Sequence, residues 1–400
     1  MRLRFTGKDV MKAFRIPTLA VSILAGAAIF SGALRGAAQS SRFVAPGATP
    51  QPVNIDLAGG GSEGPSVDAD GNVYFTTARM GPGKKSGTIQ KWTWADGKVV
   101  KVRDVDGSAI GTAFDAKGRL LIGEWDNLRI TADDLHGHVT VLVDSIGGRK
   151  ILAPNTIVVD GKGGVYFTEW PGFKMTMGGS GGQGAGGGPV AQAGEGGAGG
   201  AGSPGGAGDP GGTSGQAEQG APGGSQGGAS SGPGGPALPA GMKIESVDSE
   251  FAGIDYISPD GKKFVQVAKV RGSHKIALSP DGKTMVALGA NDRLVKFTVN
   301  PDGSLANQKD LCPDKCQVQS IDGMTFDANG DLLMAGDKIY VFSLSGEKLA
   351  AIDLPVNASN LRFAGKDRKT LFITGHGKVY TLEMAVRGAP TVLDVAQRQK

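Results

Sequence analysis

With 42 Lys and Arg against 38 Asp and Glu in 400 residues, the chain carries a formal net charge of +4. The whole excess sits in residues 1–38, where Arg2, Arg4, Lys8, Lys12, Arg15 and Arg35 face only Asp9, so the remainder carries −1. That balance gives no electrostatic case for nucleic acid or for an acidic membrane surface.

From the N-terminus, the first predicted element is a targeting segment. Its basic residues precede the apolar stretch IPTLAVSILAGAAIFSGAL and the small residues Gly36, Ala37 and Ala38, the three-part layout of a secretory signal. Cleavage is expected near Ala38, with the protein exported to the periplasm or the extracellular space. The alternative is a retained anchor, because the apolar stretch approaches spanning length, and a membrane association is expected only in that case. Residues 39–52 read as a linker, 53–385 as the folded body and 386–400 as a tail.

Next comes GSEGPSVDADGNVYFT at 61–76. Asp-Ala-Asp-Gly tolerates the backbone of a tight turn, and Val73, Tyr74, Phe75 and Thr76 are strand formers, so the stretch reads as a β-hairpin. Glu63, set against Gly64 and Pro65, is not explained by the turn. The hairpin recurs as FDAKGRLLIGEW from Phe114, VDGKGGVYFTEW from Val159, LSPDGKTMVALG from Leu278, FDANGDLLMAGD from Phe326 and, degraded, FAGKDRKTLFITG from Phe363. Second hairpins with the same turn chemistry, such as TWADGKVVKV and ISPDGKKFVQV, lie between them. A unit of four short strands in roughly 45 residues has the size of a propeller blade. With no convincing amphipathic helix, the predicted fold is all-β, a six-bladed β-propeller.

Between the third and fourth copies lies a Gly-rich insert, 178–236, too poor in apolar groups to offset the entropy of ordering. A disordered loop is expected. GGSGG at 178–182 and GQGAGG at 182–187 imitate a hydrolase elbow and a dinucleotide fingerprint, but neither has the strand and helix that such motifs need. Cys312 and Cys316 in CPDKC read as a small disulfide loop in an exported chain. The alternative, a metal half-site, has no second cysteine pair to complete it.

The residue five before the first turn position is Glu63, Ile110, Asn155, His274, Asp322 and Ser359 in the six copies. In a propeller the innermost strands line a central channel, so these positions converge at one mouth. Glu63, Asn155, His274 and Asp322 are metal-ligand types, and together they argue for a divalent cation. The competing reading is a set of buried polar groups bonded to ordered water.

The stretches SEGPSVDADGNVYFT, VTVLVDSIGGRKILAPNTIVVDGKGGVYFTEW, IALSPDGKT, SIDGMTFDANGDLLMAG and ASNLRF resemble, in that order, the family of regucalcin (senescence marker protein), gluconolactonase and luciferin-regenerating enzyme. The resemblance implies a six-bladed propeller with calcium or another divalent ion in the channel, and in many members hydrolysis of sugar lactones. The family's metal-binding Glu falls on Glu63, its DGM carboxylate on Asp322 and its third-blade Asn on Asn155. His274 stands where members have Asn, which tilts the expected metal from calcium toward zinc or manganese. Thr156 stands where Asp is common.

On this reading a cation held by Glu63 and Asp322 polarises the carbonyl of a sugar lactone or related ester and activates a water, with Asp322 as general base. Glu124-Trp125 and Glu169-Trp170, which end the second strands of their blades, are candidates for contacting sugar hydroxyls and stacking on the ring. His136, His138 and His376 read as solvated turn residues. The competing functions are a non-catalytic propeller that binds a sugar or a partner protein at the same mouth, and a metal-dependent hydrolase of other esters or organophosphates.

Overall fold

The structure, a computed structural model, describes residues 41–398 except 56, 58–60, 80–85, 171–172, 178–241, 247–251, 313–315, 317, 319–320 and 376. The expected targeting segment and the whole Gly-rich insert lie outside the described residues, as does His376.

The turn chemistry repeats as the sequence demands. Asp68 Oδ1 accepts the backbone N–H groups of Asp70 and Asn72 at 3.0 and 2.9 Å, and Asp115, Asp160 and Asp327 do the same in their copies. An Asp at this position mimics a backbone turn with its own side chain. Gly71 closes the first turn at φ +86°, with Gly365 packed against it.

Each such hairpin joins the first two strands of a four-stranded antiparallel sheet, and there are six of these sheets. Their first strands are Gly61–Val67, Ala109–Phe114, Ala153–Val159, Lys275–Leu278, Met324–Phe326 and Ala358–Ala364. These touch one another in chain order, and the sixth touches the first, which closes the ring around a channel. Second strands such as Leu120–Glu124 and Leu332–Ala335 are buried along their length, since each blade is sandwiched between its neighbours. Outermost strands alternate or lie exposed, as Val100, Val102, Val139 and Val141 show.

Blade six is completed from the other end of the chain. Gln51–Pro52 pairs with Lys378–Glu383 as its fourth strand, Val44 bridges Met384, and Phe43 is fully buried in the same core. The described part of the expected linker is therefore a structural strap. The expected tail is also folded, because Val392–Arg398 is a helix with Val392 and Leu393 buried. Thr391 Oγ1 accepts the Asp394 N–H at 3.3 Å while Asp394 Oδ2 accepts the Thr391 N–H at 2.7 Å, a reciprocal cap for the first turn. Arg368 Nη2 donates to Asp394 at 3.0 Å and ties the helix to blade six. Residues 171–248 form a second compact unit, whose described part is the antiparallel hairpin Phe173–Met177 with Met242–Ser246.

Candidate functional site

The first strand of blade one does not pair evenly. Its register with the second strand shifts between Glu63 and Ser66, a bulge that re-aims the side chains beside it. Gly64 makes the bulge possible: it sits at φ +53°, and a Cβ there would lie 2.0 Å from the carbonyl oxygen of Ile110. The Gly64-Pro65 pair thus sets Glu63 at the channel mouth.

The partner of Glu63 is a residue that the strand-position pattern did not single out. Lys275 opens the first strand of blade four, and its Nζ lies 3.2 Å from Glu63 Oε2 and 3.0 Å from Asp322 Oδ1. Asp322 is placed from blade five, its N–H held by the Ala335 carbonyl at 2.9 Å. The Lys275 side chain is only 4% exposed. A charge so buried is tolerated only when paired, so a Lys leading the apolar run KIAL was the available signal. Burial by itself would lower the Lys275 pKa, but Asp322 and Glu63 outweigh it and raise it, so the group is an ammonium. Burial pushes the Glu63 carboxyl up to about 7, with Lys275 opposing and Asp322 adding to the rise.

His274 stands beside this cluster. Its Nδ1 is 3.0 Å from the Gly272 carbonyl oxygen. A carbonyl can only accept, so Nδ1 carries the proton and Nε2 keeps its lone pair. That Nε2 lies 3.8 Å from Asp322 Oδ1. Burial lowers the His274 pKa below its usual 6.5, against the pull of Asp322, and leaves the ring neutral at pH 7. Thr156 Oγ1 and Thr168 Oγ1 both donate to the His274 carbonyl, at 2.8 and 3.0 Å. Thr156, which the sequence comparison marks as a lost acid, thus positions His274.

Asn155 is buried and, with Asn360, Lys275 and Arg362, lines a cavity of about 20 Å³ beneath the cluster, room for about one water. The sixth-blade position is corrected by one residue. A register shift lies between Ala358 and Asn360, so Asn360 reaches Glu63 while Ser359 Oγ donates to the Ser62 carbonyl at 2.9 Å. Ile110 contributes only its carbonyl, which accepts from Thr76 Oγ1 at 3.0 Å.

The acidic halves of the two Glu-Trp pairs do not face a ligand. Glu124 accepts from Arg129 Nε, Thr131 Oγ1 and Asn127 Nδ2 at 2.7, 2.9 and 3.0 Å. Glu169 is fully buried and holds Arg149 through two bonds of 2.6 and 2.8 Å, plus the Leu152 N–H at 2.6 Å. Both are structural carboxylates whose acceptor sites are taken. Asp255, fully buried beside Glu169, is pushed up to about 9 by burial and by that neighbouring carboxyl. The tryptophans differ: Trp125 meets Trp170 edge to face at 4.6 Å, and Trp170 lies 6.3 Å from the His274 ring. They form an aromatic wall that ends at the site. His136 and His138 are exposed, the latter 3.0 Å from Asp134. Cys312 and Cys316 form a disulfide.

A divalent ion does not fit this arrangement. The point between Glu63 and Asp322 is taken by an ammonium, and among the described residues no group of three or more His, Cys, Asp and Glu could hold a metal. Of the expected ligand set of Glu63, Asn155, His274 and Asp322, the two carboxylates hold Lys275. Nor does a second, roomier cavity mark the chemistry. About 450 Å³ in volume, it lies toward the turn end of the channel, lined by Lys162, Asp281, Phe326, Val392 and Val395, and it contains none of the four residues of the cluster.

The SMP-30/gluconolactonase/LRE-like family model matches residues 235–377. The chain carries an SMP-30/gluconolactonase/LRE-like region. His274, Lys275 and Asp322 fall inside the SMP-30/gluconolactonase/LRE-like region, and Glu63 falls outside it. The fold is that of a gluconolactonase from Xanthomonas campestris, at 21% identity and a TM-score of 0.60 over 86% of this chain and 91% of that one. It is also that of a luciferin-regenerating enzyme, at 17% identity and TM-score 0.56 over 86% and 99%. A calcium-binding regucalcin from Agrobacterium tumefaciens matches at 14% identity and TM-score 0.53 over 86% and 96%. No curated protein matched the sequence.

Proposed function

We propose that the protein is a lactone hydrolase of the gluconolactonase type, acting at the channel mouth that holds Glu63, His274, Lys275 and Asp322. The observation that carries the reading is the convergence of a neutral imidazole lone pair and a fixed ammonium on one carboxylate oxygen. His274 Nε2 and Lys275 Nζ lie 3.8 and 3.0 Å from Asp322 Oδ1. A base that is neutral at working pH and a preorganised positive charge are what hydrolysis of a cyclic ester needs.

In the proposed reaction His274 Nε2 takes a proton from a water as its oxygen attacks the lactone carbonyl carbon. Negative charge develops on the carbonyl oxygen, and the ammonium of Lys275, fixed just below the mouth, stabilises it. Asp322 stabilises the imidazolium that forms, which replaces its expected role as general base. The ring C–O bond then breaks, and the leaving oxygen takes the proton back from His274. The product is an open hydroxy acid, which ionises at neutral pH. The Trp170 face, backed by Trp125, offers an apolar shelf for the ring. The N-terminal layout and the Cys312–Cys316 bridge support export to an oxidising compartment.

The test is proton release from glucono-lactone and a panel of other lactones and aryl esters by the full chain. We expect turnover of lactones and a fall of at least about 100-fold in kcat for His274→Gln, as for loss of a general base. Lactone binding by calorimetry with no turnover would replace this reading with that of a non-catalytic sugar-binding propeller.

A further inference from the structure

We propose that the ammonium of Lys275 takes the place of a divalent cation in this propeller. The mouth then binds no divalent ion while Lys275 is intact, and it gains a site for one when that side chain is shortened. The first argument is position. Glu63 comes from blade one and Asp322 from blade five, and Lys275 reaches in from blade four to lie 3.2 and 3.0 Å from their oxygens. A bound cation would lie about 2.0–2.6 Å from the same oxygens and so would overlap Nζ.

The second argument is charge. With both acids ionised, the two carboxylates and one ammonium sum to a single negative charge, and a proton on Glu63, whose carboxyl burial pushes up to about 7, removes even that. Adding a divalent ion would leave two cations in contact in a place where the Lys275 side chain is 4% exposed. Low exposure means little solvent screening, and like charges are held apart most strongly there. Without the ammonium, the two carboxylates match one divalent ion in charge, with water completing its shell. The third argument is construction. Asn360 also bonds Glu63, and Thr156 and Thr168 fix the backbone from which Lys275 extends. The pairing is therefore built into five blades and is not a chance contact of a surface lysine.

The inference concerns occupancy and stands apart from the lactone reading. Its readouts are metal content and metal binding, so a chain inactive on every lactone would sink that reading and leave this one untouched. Full-length protein without a polyhistidine tag is assayed for bound metal by mass spectrometry. It is then titrated calorimetrically with calcium, manganese and zinc chlorides, alongside Lys275→Ala and the neutralised triple variant Glu63→Gln/Lys275→Ala/Asp322→Asn. We expect no stoichiometric metal and no saturable binding in the wild type. Lys275→Ala should bind one equivalent of at least one ion, at least about 100-fold more tightly than the wild type, and the triple variant should lose that site. A wild-type protein that carries one equivalent of metal, or binds an ion as tightly as Lys275→Ala, overturns the proposal. So does a folded Lys275→Ala that binds no ion. Two unpaired carboxylates could leave Lys275→Ala unfolded, and the wild type then decides. Its melting temperature should not change with chelator or with added ions, whereas any ion bound to the native state would raise it.

Discussion

At the scale of single residues, the proton on His274 is the variable that pH controls. A base must be deprotonated to act, and burial holds this imidazole below 6.5. The limb of kcat/KM on the acid side should therefore fall as pH drops through a value lower than 6.5. A pH–rate profile on a lactone checks this, and a limb centred above 6.5 would assign the base to another group. Asp255 gives a prediction about stability instead. Its pKa is raised in the folded state, from 3.8 to about 9, by burial first and then by Glu169. The native chain therefore binds one more proton than the unfolded chain between those values, and stability falls as pH rises through that window. Asn keeps the shape and a donor toward Glu169 but cannot ionise. Asp255→Asn should melt higher than the wild type at pH 8 and close to it at pH 4; equal melting curves at both would remove the buried-acid account.

At the scale of elements, the bulge in Gly61–Val67 is the device that builds the site. Gly64 combines a left-handed backbone with contact against Ile110 O, and the atom in the way is backbone, which cannot swing aside. Gly64→Ala should destabilise the fold by more than about 3 kcal/mol, at the severe end of single substitutions, measurable by urea denaturation. A loss under about 1 kcal/mol would mean that the strand re-pairs without the bulge. The Asp-x-x-Gly turns, by contrast, were legible from the chain, because their geometry depends only on residues within the turn.

At the scale of the whole molecule, the ring is closed by residues far apart in sequence. Phe43, Val44 and the Gln51–Pro52 strand complete blade six, so removing residues 39–52 opens the last blade and uncovers its core. The truncated protein should melt lower by several degrees and aggregate more readily through the exposed edge of Lys378–Glu383. Differential scanning calorimetry of the two forms checks this, and an unchanged melting temperature would return the segment to the status of a linker.

The six-bladed all-β architecture, the turns and the positions of Glu63, His274 and Asp322 near one mouth were determined by the sequence alone. Each rests on a local pattern repeated along the chain, where strand alternation and turn chemistry act over a few residues. What faces what was decided only by the tertiary structure. Glu124 and Glu169 look like site acids until Arg129 and Arg149 are seen to take their oxygens. Lys275 looks like a strand-end lysine until Glu63, 212 positions away, and Asp322 are seen on either side of its ammonium. Charge pairing inside a closed ring is set by which blades meet across the channel. The distance in sequence between those partners carries no trace of it.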